Sequence, residues 1–286
     1  MGRSGGIRPG SGGTDIFDAY HDAAILALPG NTIAGLHPVD TLDMTSYESQ
    51  FSDTQTATIQ TPATMGAALA AACPLWWDGP TYSGSGDLLN SGTAGSGGGR
   101  DMVLGAATAA PSFAAGVFTF DGSNDYMAMA DNAAQTIDGG TLWIVCTPVA
   151  TVVLNSHIIG NNVTGTGPGV VICVDSGTAT TMNGTARVSG SSATALASAV
   201  SAGTKRLYFV SRLPDGSGTI GIATGAAFSS AALTAQVGTI NPTLAMTIGA
   251  RPALSNFFKM TFNAAGLADR PLGPMSLQAI ASAYGA

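Results

Sequence analysis

The stretch "FDGSNDYMAMAD", Phe120 to Asp131, decides how this chain is read. It sets three carboxylates, Asp121, Asp125 and Asp131, beside Gly122 and Asn124 within twelve residues. A metal loop, a catalytic acid pair and a turn between two strands all use such residues, and spacing decides among them. Calcium takes roughly 6–8 oxygen ligands, and a helix-loop-helix calcium site needs donors at alternate positions closed by a glutamate. This stretch has no such series. Strand alternation instead places Phe118 and Phe120 on one face and lets Tyr126 open the next strand, leaving Asp-Gly-Ser-Asn as the reversal. In a reversal, Asp and Asn side chains accept from backbone amides, and Gly supplies positive φ. The stretch therefore reads as a structural hairpin built by Asp121, Gly122, Asn124, Asp125 and Tyr126. Asp121, Asn124 and Asp125 remain the calcium alternative.

Outward from that turn the texture is that of strands. "GVFTF", "DYMAMA", "TLWIVCTPV", "HIIGN", "GVVICVD", "RLYFVSRL", "TIGIAT", "LAMTIGA" and "FFKMTFNAAGLA" are rich in Val, Ile, Thr, Phe and Tyr. Gly, Ser, Asn and Asp clusters such as "PDGSG" and "TGTGPG" separate them. "TLWIVCT" and "GVVICV" have no polar alternation and read as buried on both faces. "PLGPMSLQAIASAYGA" returns to helical spacing through Met275, Leu277, Ile280 and Tyr284, with Pro and Ser at its start.

The N-terminal quarter differs. Residues 1–13 read as a flexible arm, and "TDIFDAYHDAAILALPG" reads as a helix opened by Thr14 or Asp15 and stopped by "PG". "PATMGAALAAAC" reads as a short helix or as an extended segment lying on a partner.

Composition narrows the function. Of 286 residues, 45% are hydrophobic, enough for a core, but only 9% are charged, against the quarter usual for soluble domains. A surface so poor in charge suits packing against neighbours. The net charge is −7, with two lysines and eight arginines scattered between Arg3 and Arg270, so the clustered basic face that nucleic acid requires is missing. Cys73, Cys146 and Cys173 are odd in number, widely spaced and without a CxxC, which implies small buried hydrophobes rather than disulfides or zinc ligands. The opening "MGRSGGIRPGSGG" lacks the apolar core of a signal peptide, and no apolar run is long enough for a membrane span.

The ordered pieces resemble a known family. "GVFTFDGSNDYMAMAD" resembles the opening strand pair of concanavalin A-like lectin/glucanase domains, including the laminin-G-like branch, where one strand ends in Phe-Asp-Gly and the next begins Asp-Tyr. "RLYFVSRLPDGSGTIGIATGA" resembles the family's strand pair joined by an Asp-Gly turn, "LAMTIGARP" a later strand, and "FFKMTFNAAGLADRPLGPMSLQAIASAY" its closing strand and helix. "CPLWWDGPTYSGSGD" resembles the aromatic lead-in of related bacterial and phage domains. The resemblance covers about residues 74–286 and implies an all-β, concanavalin A-like jelly-roll β-sandwich with a short C-terminal helix, preceded by an N-terminal extension over residues 1–72. It also implies glycan or protein-surface binding.

Catalysis finds little support in these residues. The hydrolase branch of such folds carries paired glutamates on one strand, whereas this chain has a single glutamate, Glu48, outside the β region. The Gly-Ser run around Gly84 lacks the strand–turn–helix setting of a nucleophile elbow. His157 is the only histidine within the expected sandwich and reads as a satisfied structural residue. For glycan contact, Trp76, Trp77 and Tyr82 offer aromatic surface and Asn161 and Asn162 offer amides, although paired tryptophans also suit a core plug. The expectation is a non-catalytic adhesive or structural virion protein, such as a phage appendage, fibre or decoration. It would be made in bacterial cytoplasm, be homo-oligomeric, and dock on other virion proteins through residues 1–72. A host surface glycan is the further partner, and a free carbohydrate-binding module is the alternative.

Overall fold

The computed structural model describes residues 62–149, 154–162, 167–175, 177–189, 194–196 and 199–286. The helix expected after Thr14, and His21, His37 and Glu48, lie outside them.

Two antiparallel sheets form. The 8-stranded sheet runs β13 (Phe228–Ala232), β12 (Gly218–Ala223), β11 (Arg206–Arg212), β6 (Gly140–Pro148), β15 (Met260–Ala268), β4 (Val117–Phe120) and β3 (Ser112–Ala114), with β1 (Leu75–Asp78) also paired to β15. The 7-stranded sheet runs β10 (Thr194–Leu196), β9 (Met182–Arg187), β8 (Gly169–Val174), β7 (His157–Gly160), β14 (Met246–Ile248), β5 (Met127–Met129) and β2 (Val103–Leu104). Two helices, α1 (Pro62–Ala71) and α2 (Pro274–Ala283), flank the strands in sequence. The fold is an all-β sandwich with a short C-terminal helix.

Strand alternation explains how one sheet serves two cores. Along β6, Leu142, Ile144 and Cys146 enter the cluster between the sheets. Trp143 and Val145 enter a second cluster with Leu69 and Ala70 of α1 and Leu277 and Ile280 of α2. β11 divides the same way, with Tyr208 and Val210 on one side and Leu207 and Phe209 on the other. The run "TLWIVCT" is therefore buried on both faces because helices cover its outer side. Each such side chain contributes on the order of 1.5–3 kcal/mol of transfer free energy. The layers are helices, 8-stranded sheet and 7-stranded sheet.

The helical layer includes residues expected in the N-terminal arm. α1 meets α2 at Gly66, where a Cβ would lie 2.0 Å from the carbonyl oxygen of Ala279. Only a glycine lets the backbones come this close. Of the expected helical face of α2, Leu277 and Ile280 are buried, whereas Met275 projects into solvent.

The turn at 121–126 corrects one expectation. β4 belongs to the 8-stranded sheet and β5 to the 7-stranded sheet, so the two strands are not paired with each other. Both edges of β4 are already taken, by β15 and β3, and β5 lies between β14 and β2. "DGSND" carries the chain from one sheet to the other. The Asp-Gly pair at Asp215–Gly216, by contrast, does close a hairpin, since β11 pairs antiparallel with β12.

Candidate functional site

The inter-sheet turn is held by its own side chains. Asp121 Oδ1 accepts from the amides of Ser123 at 2.7 Å and Asn124 at 3.3 Å. Asp125 Oδ2 accepts from the amide of Asp121 at 2.6 Å. Gly122 has φ 77°, and Asn124 Nδ2 reaches Thr108 Oγ1 at 3.4 Å. Tyr126 joins through its backbone, donating to Ala109 and accepting from Gly105. These bonds divide the two carboxylates. The Ser123 amide, against a small opposing effect of burial, holds Asp121 below the usual carboxylate range, while burial raises Asp125. The Asp121 and Asp125 oxygens are thus turned to backbone amides, and Asp125 is buried to 5% exposure. Among the described residues, no group of three or more His, Cys, Asp or Glu side chains could hold a metal ion.

The aromatic candidates do not form one platform. Trp76 and Trp77 are neighbours on β1 and therefore face opposite ways. Trp77 is fully buried between the sheets, donating through Nε1 to the Arg100 carbonyl at 2.9 Å. Trp76 packs on the helical side, where Nε1 donates to the Tyr284 hydroxyl at 3.0 Å. That hydroxyl in turn donates to Asp78 Oδ1 at 3.0 Å, tying β1 to the end of α2. Tyr82 leans edge-on against Phe113 at 4.8 Å, and its hydroxyl donates to the Gly86 carbonyl.

Asn161 and Asn162 are also turned inward. Each is 1% exposed. Asn161 donates to Gln135 Oε1 at 2.8 Å and accepts from the Val170 amide at 2.8 Å, pinning β8 to the segment after β5. Asn162 donates to the Gly167 carbonyl, and its Oδ1 accepts from Arg187 at 2.9 Å.

That last bond leads to the outer face of the 7-stranded sheet. Alternate residues of β9, Asn183, Thr185 and Arg187, oppose Cys173, Val171 and Gly169 of β8, while Met182 and Ala186 point to the core. His157 of β7 sits opposite Cys173. This face is polar yet buried: His157 is 0% exposed, Arg187 2% and Thr185 4%. Among the described residues, neither nitrogen of His157 has a hydrogen-bond partner, nor does the Thr185 hydroxyl. Burial, then the charges of Arg251 and Arg187, push the imidazole down to about 3, so it is neutral at pH 7. Burial, then Asp175, pushes the Cys173 thiol up to about 12. His157 is buried on a strand, as expected, but its ring nitrogens are not satisfied among the described residues, against that expectation. Arg187 and Thr185 were missed because β9, "MNGTAR", alternates with period two but sets only Met182, Gly184 and Ala186 on its core face, too little apolar bulk to stand out as a strand.

Comparison with known proteins places the fold. No protein-family model matches the chain, and no curated protein does. Solved structures do. The ligand binding domain of botulinum neurotoxin serotype D, in complex with N-acetylneuraminic acid, aligns with TM-score 0.54 and 8% identity over 76% of this chain and 52% of that one. Trypanosoma rangeli sialidase in complex with sialic acid aligns with TM-score 0.51 and 11% identity over 72% of this chain and 32% of that one. The receptor binding domain of the botulinum neurotoxin C/D mosaic serotype gives TM-score 0.50 and 10% identity over 74% and 51%. The chain thus spans about half of the neurotoxin domains and about a third of the sialidase. At such identities the likeness is one of fold: an all-β sandwich. Among the described residues no helix is long and apolar enough to cross a membrane.

Proposed function

We propose that the protein is a non-catalytic, lectin-like adhesive component of a virion, with the sandwich as its binding module. The observation that carries the binding reading is a fold likeness to a toxin binding domain solved with N-acetylneuraminic acid and a sialidase solved with sialic acid. A non-catalytic role is supported by the chain's single glutamate, and by the binding of Asp121 and Asp125 to backbone amides. The virion role rests on composition. Charged residues make up 9% of the chain, and Cys73, Cys146 and Cys173 are free and buried, as suits a protein made in a reducing cytoplasm and packed among neighbours. In this reading, the segment ahead of α1 docks the module on other virion proteins; the arm expected over residues 1–72 is shortened, because α1 (Pro62–Ala71) packs on α2 and belongs with the sandwich of residues 73–286.

Density-gradient separation of a lysate from the source, probed for this chain, tests the assignment. Co-sedimentation with large particles at fixed stoichiometry is expected. Recovery only in the light fractions overturns the virion role and leaves the free carbohydrate-binding module. A glycan array probed with the full chain tests binding separately, and an array without signal overturns it.

A further inference from the structure

We propose that β13 (Phe228–Ala232), which ends the 8-stranded sheet, is a self-association edge. Two copies of this chain pair antiparallel along it about a two-fold axis and join their 8-stranded sheets into one. The inference goes beyond the binding and virion readings and depends on neither.

Among the described residues four strands end the two sheets, and they differ in protection. β2 has two residues, β3 and β10 have three each, and β3 follows directly on Pro111. Folded proteins keep edge strands short, charged, bulged or broken by proline, which prevents pairing with other chains. β13 has none of these devices. It runs five residues, "FSSAA", in unbroken register with β12. Ser229, Ser230 and Ala232 are exposed. The strand is also held in place, since the Phe228 ring stacks on Phe209 at 5.3 Å and Ala231 packs on the core between the sheets. An edge already ordered gives up little entropy on pairing.

The backbone fixes what this edge offers. The Leu233 amide donates to the Gly218 carbonyl and the Thr224 amide to that of Ala227, and both pairs continue the β12–β13 register. Hydrogen-bonded and open pairs alternate along an antiparallel ladder. Ser229 and Ala231 therefore bond to β12, while Phe228, Ser230 and Ala232 turn N–H and C=O to the free edge. These three are spaced evenly about Ser230, so the edge is its own antiparallel complement. Ser230 opposes Ser230 of the partner subunit and Phe228 opposes Ala232 of the partner subunit, as a two-fold interface requires. Charge selects the same occupant. The chain carries −7, so two copies repel over most approaches. β10 lies beside β13, with Thr194 Oγ1 accepting from the Thr234 amide at 3.3 Å. These two edge strands fall within residues 188–204 and 216–250, which hold no Asp, Glu, Lys, Arg or His. On this side two acidic copies meet without opposed carboxylates.

The test is sedimentation equilibrium of the full chain over a concentration series, with circular dichroism to check the fold of each variant. A monomer–dimer equilibrium is expected. Ser230→Lys sets like charges directly opposite at the axis and is expected to weaken the dimer at least about tenfold with the fold intact. Ser112→Lys adds the same charge to β3 at the opposite edge and is expected to leave the dimer unchanged. Ser230→Cys is expected to form an intermolecular disulfide on mild oxidation, because opposed hydrogen-bonded residues stand about 5.5 Å apart, a span a disulfide bridges. Ser229→Cys, set off the axis, is expected to form none. The native cysteines are buried and do not compete. A chain that stays monomeric at every concentration overturns the inference. So does a dimer that Ser230→Lys leaves as tight as the parent, or one cross-linked by Ser229→Cys but not by Ser230→Cys. An assembly of three subunits overturns the two-fold pairing as well.

Discussion

Gly122 shows what a single residue fixes here. Its φ of 77° lies where side chains are disfavoured, and a Cβ would stand 2.7 Å from that of Lys259. Left-handed backbone costs an L-residue about 1–2 kcal/mol, and overpacking adds about 1–3 kcal/mol. Gly84 is the control, with φ 87° and nothing within 4 Å of its would-be Cβ. Gly122→Ala should therefore lower stability by about 2–5 kcal/mol and Gly84→Ala by about 1–2 kcal/mol. Denaturant melts that returned equal losses would show that contact with Lys259 plays no part. Asp78 makes a different point. Burial raises its pKa, partly opposed by the Tyr284 hydroxyl. A carboxyl raised on folding favours the folded state when protonated, and that contribution is lost as pH rises through the folded value. Asp78→Asn should thus be more stable than the parent at pH 7, with the difference shrinking toward pH 3.5. Parallel thermal melts at the two pH values check this, and a difference that grew on acidification would contradict it.

Elements were legible in proportion to their apolar content. β6 and β8 announce themselves as unbroken apolar runs, and the structure buries both. β9 does not, because "MNGTAR" mixes a glycine that must pass Ile220 and Val210 with polar residues facing outward. The buried polar face went unseen with it, since alternation assigns the polar residues of such a strand to solvent, whereas Thr185 and Arg187 are buried. Pairing was less legible than strand position. The "FDGSND" turn is marked by its residues, but which sheet each flanking strand joins depends on β15 for β4 and on β14 for β5, both distant in sequence. α1 carries its own test. Because Gly66 lies against the Ala279 carbonyl, Gly66→Val should force α1 off α2 and uncover Leu69, Leu277 and Ile280. Exposing even one of these leucine or isoleucine side chains costs about 1.5–3 kcal/mol. A melting point lower by several degrees is expected, with faster proteolysis near residue 72. An unchanged melt would mean that the helical layer contributes little to holding the sandwich.

Across the whole molecule, the sequence showed a sandwich and a charge-poor surface, while the clustering of its few charges became visible only in three dimensions. Arg187 and Arg251 stand 64 positions apart in the chain, yet both act on His157. Covalent links play no part among the described residues. Cys73 lies under the helical layer, Cys146 between the sheets and Cys173 on the outer face of the 7-stranded sheet. Burial pushes the first and last up to about 12 and raises Cys146 further. A thiol attacks as its thiolate, so protonation and burial both protect these three. Incubation of the native protein with an aromatic disulfide reagent at pH 8 should release no chromophore over the time in which a free thiol reacts fully. The same reagent in guanidinium chloride should titrate three thiols per chain. The melting temperature should also be the same with and without reductant. Partial reaction in the folded state would locate an opening motion, and reaction at Cys173 alone would place that motion at the outer face of the 7-stranded sheet.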